Sequence, residues 1–238
     1  MARAPKKTAA PTAAPRNDRD RIVDALMELA AEQPFEDVTI SAIAGRAGVS
    51  LADFRDAFPS KGAVLAAFNR RIDRIVLDGT TADMADENTK ERLFDVLMRR
   101  FDALAPHRAA IESIVAWARR EPIAAARLNT MALNSMRFML EAAGADAEGP
   151  VGALKLQGLT LAWARLVNIW LGDDDPGLAV TMAELDRTLR RGDMLIARAE
   201  DVDRLTSPLR SLARGVVNAG VRFVSDRRAK SSASAETD

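Results

Sequence analysis

The sequence contains no cysteine. Neither disulfides nor thiolate metal sites are available to it, and a reducing compartment is expected. It has a single histidine, His107, so a multi-histidine metal centre or Ser-His catalysis would rest on that one side chain. No nucleophile–base pair, phosphate loop or dinucleotide motif occurs in the 238 residues, and the expectation is a protein that is not an enzyme and uses no cofactor and no metal. No run is long enough for a membrane span: the most apolar, Leu159 to Leu171, is short and interrupted by Arg165 and Asn168. The N-terminus has basic residues without an apolar core behind them, unlike a secretory leader, and a cytoplasmic location is expected. Net charge is absent too. With 34 basic and 34 acidic residues, the whole-molecule field argues neither for nor against a polyanionic partner.

Sustained period-two alternation is also missing, and no repeat occurs at a solenoid period. What is present is helical periodicity, punctuated by proline, glycine and capping residues, and it predicts an all-α fold of about ten helices. A sizeable core is possible at this length with 48% hydrophobic residues. The first 17 residues carry Arg3, Lys6, Lys7 and Arg16 and no acid. Their composition predicts a disordered basic tail, or an arm that follows DNA into a minor groove. A first helix runs from Asp18 to about Gln33, with Ile22, Leu26 and Leu29 on one face.

The stretch from Val38 to Phe68 organises the rest. Thr39 can cap a short helix carrying Ile40, Ile43, Ala44 and Ala47. Gly48 supplies the left-handed residue that ends it, and Ser50 caps a second helix within two residues. Two short helices joined by so tight a turn form a helix-turn-helix. Pro59 stops the second, and Ser60 caps a longer third helix to about Asp78. A polar stretch from Gly79 to Glu87 follows. Asn88 and Glu91 then read as a capping box, and further helices are expected after Pro106, from Pro122, from Pro150, from Pro176 and from Ser207–Pro208 to about Val224.

The run T-I-S-A-I-A-G-R-A-G-V-S, followed by Phe54, Phe58-Pro-Ser-Lys and Leu65, resembles the TetR family of bacterial transcriptional regulators. That resemblance covers about residues 18–70. It implies a helix-turn-helix DNA-binding domain at 18–68 and a helical ligand-binding and dimerisation domain at 69–224, between the disordered basic tail at 1–17 and a disordered tail expected at 225–238. It further implies a ligand-responsive repressor, acting as a homodimer on a near-palindromic DNA operator. Dimerisation would use two late helices, roughly Gly152–Leu171 and Pro176–Arg191. The first of these is apolar nearly all round beyond Leu159 and needs cover on two sides, from a second copy or from the interior of a large monomer. The DNA-facing set expected here is Thr39, Ser41, Arg46, Ser50, Leu51, Ala52, Asp53, Arg55 and Lys61. The chain departs from the family pattern at Arg55, where a tyrosine is usual, and at Ala57, where histidine or tyrosine is usual. Residues 18–61 hold five basic and nine acidic side chains, a poor provision for phosphate neutralisation.

The C-terminal half, through the segments at 91–93, 104–108, 170–174 and 181–187, is also similar to a TetR-fold lipid-binding family that assists ubiquinone biosynthesis. That likeness implies a lipid cavity, a helix-turn-helix that is only structural, and a last amphipathic helix that docks on a membrane. Leu209, Leu212, Val216 and Phe223, opposite Arg210, Arg214 and Arg222, fit such peripheral membrane contact or an ordinary surface helix. The expected partner small molecule is an apolar or lipid-like effector. Phe101, Trp117, Met131, Phe138 and Trp163 are expected to line its pocket, although aromatics at helical spacing commonly form core. Asp173, Asp174 and Asp175 sit directly before Pro176 and read as helix capping rather than a cation site.

Overall fold

The structure, a computed structural model, describes residues 17–79 and 86–194. Every element among the described residues is helical. The eight helices with both ends described are α1 (Asp18–Glu32), α2 (Ile40–Ala47), α3 (Leu51–Ala57), α4 (Lys61–Asp78), α5 (Thr89–Leu104), α6 (Arg108–Arg120), α7 (Pro122–Ala142) and α8 (Gly149–Leu171). A ninth, α9, covers 179–194. The helix expected over 208–224 lies outside the described residues, as do both expected tails apart from Asn17. None of the described helices is long and apolar enough to cross a membrane.

Local chemistry sets most of the boundaries. Asn17, Thr39, Ser60 and Asn88 each offer a side-chain oxygen to a backbone N–H in the first turn of the following helix, at 2.9–3.2 Å. Asn88 supplies one half of the expected capping box; the Glu91 carboxylate lies 3.8 Å from Lys90 instead. Two expected starts differ. Pro106 sits in a 3-10 turn, Ala105–His107, that carries α5 directly into α6. Pro176 sits in a turn, and α9 begins at residue 179, because the Asp175 carboxylate accepts from both Gly177 N (3.0 Å) and Ala179 N (3.2 Å) and holds the chain in a turn first.

α1 packs on α2, α4 and α6, so the N-terminal head is joined to the larger bundle through two of its helices. The head core contains Ile22, Leu26, Phe35, Ile43, Phe54 and Phe58. In the bundle, the fully buried Phe101 stacks on Trp163 (4.7 Å between centroids) and leans on Trp170 (5.6 Å). Arg108 donates to the carbonyls of Trp170, Leu171 and Asp173 at 2.8–3.1 Å, closing the end of α8. The buried Asp173 carboxylate accepts from Thr181 N and Oγ1 at 2.8 and 2.7 Å. Those residues belong to the segments that carry the second resemblance, and in space they form a structural clasp.

A buried polar cluster joins α4, α5 and α7. Arg100 pairs with Asp73 and donates to Asn69 Oδ1 (2.9 Å). Ser135 donates to the second Asp73 oxygen (2.8 Å) and accepts from Asn69 (2.7 Å). Removing one partner would leave a charge or a polar group unmet in a low-dielectric interior.

His107 is half-buried and meets Phe68 of α4 edge-to-face, centroids 4.9 Å apart. Burial and then the Arg71 guanidinium hold its pKa below the ordinary histidine value, with Asp24 opposing. The unfolded chain therefore binds a proton that the folded chain refuses. Stability falls as pH drops through about 6.5, and the loss is complete only below the depressed folded value. The urea midpoint is expected to fall between about pH 7 and about pH 5.5, and His107→Phe is expected to flatten that slope. Equal slopes in the two proteins would refute the assignment.

Candidate functional site

The two helices after α1 form a helix-turn-helix because one glycine makes the turn possible. Gly48 adopts φ +64° and its N–H, with that of Val49, satisfies carbonyls at the end of α2; any residue with a Cβ is strained there. Ser50 then starts α3 with a complete capping box: its Oγ accepts from Asp53 N (3.1 Å), and Asp53 Oδ2 accepts from Ser50 N (3.2 Å) and Ser50 Oγ (2.6 Å). Thr39, Ser41, Arg46, Ser50, Leu51, Ala52, Asp53 and Arg55 are all exposed. Phe54 and Phe58 turn inward. The outward side of α3 is thus a free surface on a rigid frame.

The charges on this surface are already partly engaged. Arg19 donates to the Ala57 carbonyl and lies over the Phe58 ring, 4.2 Å from its centroid. Arg21 pairs with Asp18 at 2.6 Å. Arg46 grips Glu32 with two hydrogen bonds (2.8 and 2.7 Å) and reaches Glu28 at 3.4 Å. The hydrogen bonds from Arg46 lower the Glu32 pKa, and the same bonds raise that of Arg46. Lys61 is turned inward: its ammonium donates to the carbonyls of Phe35 (2.7 Å) and Val38 (2.8 Å) and lies over the Phe35 ring. Burial lowers its pKa, with Glu36 and Asp37 opposing. Arg55 makes no hydrogen bond or ion pair with the described residues. Of the five basic side chains between 18 and 61, it is the one left for a partner.

Asp53 does not extend from α3 as an open carboxylate. Its hydrogen bonds from the Ser50 hydroxyl and then the Ser50 N–H hold its pKa below the usual value, and its charge sits at the positive end of the helix. Asp56 remains exposed on the same helix.

A second site lies in the bundle. A cavity of about 650 Å³ is enclosed by α4, α5, α6, α7 and α8, within the size range of small-molecule sites. Its wall includes Leu104, Ile111, Ile114, Met131, Trp163 and Val167. Its polar lining is Asn69, Arg100, Arg119, Asn129, Thr160 and Asn168, with no carboxylate among the lining residues. Met131 and Trp163 thus reach the cavity, and three other expected lining residues do not. Phe101 is fully buried behind Trp163. Trp117 turns toward the head and packs on Phe35, centroids 4.8 Å apart. Phe138 is 52% exposed on the outer side of α7. Sequence periodicity identified helix faces but not which neighbour each face meets.

Arg100 and Asn69 were missed as lining residues. The available signal was the pair Asn69 and Asp73, polar residues one turn apart beside Phe68, Ile72 and Val76.

Residues 22–68 match the family described as bacterial regulatory proteins, tetR family. The fold resembles that of a TetR transcriptional regulator from Nitrosomonas europaea ATCC 19718, with TM-score 0.61 and 25% identity over 75% of this chain and 99% of that one. Residues 22–68 thus carry a TetR-family domain, and the described chain has a TetR-like fold. A TetR transcriptional regulator from Rhodococcus sp. RHA1 shares the fold, with TM-score 0.55 and 21% identity over 74% of this chain and 95% of that one. A TetR-family regulator from Streptomyces coelicolor does so too, with TM-score 0.51 and 18% identity over 80% and 96%. No curated protein matches the chain.

In this head, the geometry gives Lys61 a structural task. Lys61→Met should strand two carbonyls and lower folding stability by about 1–3 kcal/mol in urea denaturation. A variant that keeps its stability but loses DNA binding would reassign Lys61 to the interface.

Proposed function

We propose that this chain is a TetR-family regulator, a ligand-responsive repressor that binds a near-palindromic operator as a homodimer. Residues 18–68 serve as the DNA-reading domain, 69–224 as the ligand-binding and dimerisation domain, and the flanking 1–17 and 225–238 as tails. The observation that carries the reading is the exposed α3 surface with an unengaged Arg55 directly behind the Gly48 turn. Arg55 would meet a phosphate or a guanine edge in the major groove. Thr39, Ser41, Ser50, Leu51 and Ala52 would approach the backbone and bases around it. Arg46 and Lys61 would support the frame, and Asp53 would cap the reading helix. The reading needs no catalytic step and no cofactor, and it places the protein in the cytoplasm with its DNA.

Dimerisation is supported by exposed apolar side chains on α8 and on α9. Leu161 is 61% exposed, and Leu154 and Val180 are similarly open; large apolar side chains left open to water fit a contact face. Two copies joined there by a two-fold axis would present two α3 helices to half-sites one DNA turn, or a multiple, apart. The cavity would hold the apolar effector. A lipid-binding accessory role draws on the same cavity, but its membrane helix lies outside the described residues.

Purified protein is expected to retard a fragment from its own promoter region in preference to random DNA, with affinity falling as salt rises. Arg55→Ala should weaken that binding about tenfold or more, the value of one good base or phosphate contact. Retention no better than on random DNA at low salt sinks the regulator reading and leaves the accessory role. Sedimentation tests the dimer separately. Leu161→Glu should yield a folded monomer with reduced operator affinity, and a Leu161→Glu protein that stays dimeric rules out the α8–α9 interface.

A further inference from the structure

The cavity and the buried polar cluster share Asn69 and Arg100. Arg100 is 2% exposed, at the inner end of the cavity, whereas Arg119, Asn129 and Asn168 are exposed at its outer end. The Arg100 guanidinium spends its terminal nitrogens on Asp73 and Asn69 and lies 5.3 Å from the Trp163 ring centroid. Its Nε–H is buried and has no hydrogen-bond partner. Of the buried polar side-chain atoms in the cluster, that donor alone is unmet. An unmet donor in a low-dielectric site costs about 1–3 kcal/mol and rewards any acceptor that reaches it. No acid lines the cavity; Arg100 is matched by Asp73 behind the wall, while Arg119 at the outer end is bonded to Asn168 Oδ1, so the lining offers a cationic guest no counter-charge and an anionic one a guanidinium.

We propose that the effector is an apolar molecule ending in a carboxylate, inserted head first so that it parts the wall over the closed-off Arg100 Nε and a carboxylate oxygen accepts from that donor at the inner end of the cavity. The inference rests on the regulator reading and gives that reading a ligand class. The apolar body fills the space between Met131, Trp163 and Val167. The head group shares Arg100 with Asp73. Asn69 and Asp73 both belong to α4, which also carries Lys61 and Arg71 into the head, so the bound oxygen acts on the helix that holds the DNA-reading end.

Decanoate, decanol and decylammonium, each below its micelle concentration, test the idea by calorimetry on the full chain without DNA. Decanoate should bind once per chain, about tenfold or more tighter than decanol, and decylammonium should not bind. Arg100→Lys keeps a cation for Asp73 and removes the Nε donor; it should weaken decanoate about tenfold. Ala164→Trp fills the opening and should abolish decanoate binding while the circular dichroism spectrum is kept. Equal binding of the acid and the amine, undiminished binding in either variant, or no binding of decanoate overturns the proposal. None of these outcomes touches operator retention, so the ligand class and the regulator reading fail independently.

Discussion

The Asp73–Arg100 pair is the constraint on which the arrangement of the central helices depends. Taking both ions out of water costs several kcal/mol each, and their attraction offsets this only when the remaining donors and acceptors are also met. Asn69 and Ser135 meet them from α4 and α7, all but the Arg100 Nε–H. Apolar packing around Ile72, Leu97 and Met136 would tolerate small slides and rotations. A charged cluster spread over three helices tolerates few, because a shift at any one helix leaves a charge unpaired. Polar contacts therefore fix the register that the apolar contacts make favourable.

α4 carries this register to the head. Its 18 residues extend about 27 Å as one continuous helix. Between the two α4 members of the cluster, Arg71 binds Asp20 and Asp24 of α1. At the far end Lys61 holds the 3-10 turn Phe35–Asp37 by its carbonyls. That same turn meets α6 through Trp117 and through the Arg120–Glu36 pair, and Ser113 reaches the Gln33 carbonyl at 3.2 Å. The head is thus tied by side chains to both α4 and α6, two of the helices that enclose the cavity. A change in the spacing of those helices has a short mechanical route to α3.

Much of the fold was legible because caps and helix faces are local properties. Thr39, Ser50, Ser60 and Asn88 set boundaries by accepting backbone N–H groups at their side-chain oxygens, and Gly48 by its own N–H, and all these bonds involve neighbours within a few residues. The late start of α9 was not legible, since proline after an acidic run also suits a turn, and the Asp175 side chain selects the turn. The sites were less legible than the fold. Trp117 and Phe101 occupy ordinary apolar positions, and nothing local distinguishes a neighbour across the cavity from one behind it. Lys61 looks like a phosphate contact until the Phe35 and Val38 carbonyls are brought within its reach by packing. The reach of Arg100 to Asp73 likewise depends on tertiary structure alone.

Charge counting shows the same limit in a sharper form. Five cations against nine anions between residues 18 and 61 argue against attraction to a polyanion if all of them face the same solvent. They do not. Asp20 and Asp24 are matched by Arg71, and Glu36 by Arg120, both arginines from outside that segment. Glu28 and Glu32 are matched by Arg46, and Asp53 is folded onto the start of its own helix. What α3 offers to a partner is therefore much less acidic than the segment total, but it also has few free cations. Non-specific binding depends on the number of phosphates neutralised, and this head can neutralise few. On the regulator reading, discrimination then rests on the shape and hydrogen-bonding groups of the α3 surface, doubled by dimer symmetry, rather than on a general attraction to DNA. A head built in this way separates sites by contact geometry, which is the quantity that a ligand acting through α4 and α6 is positioned to change.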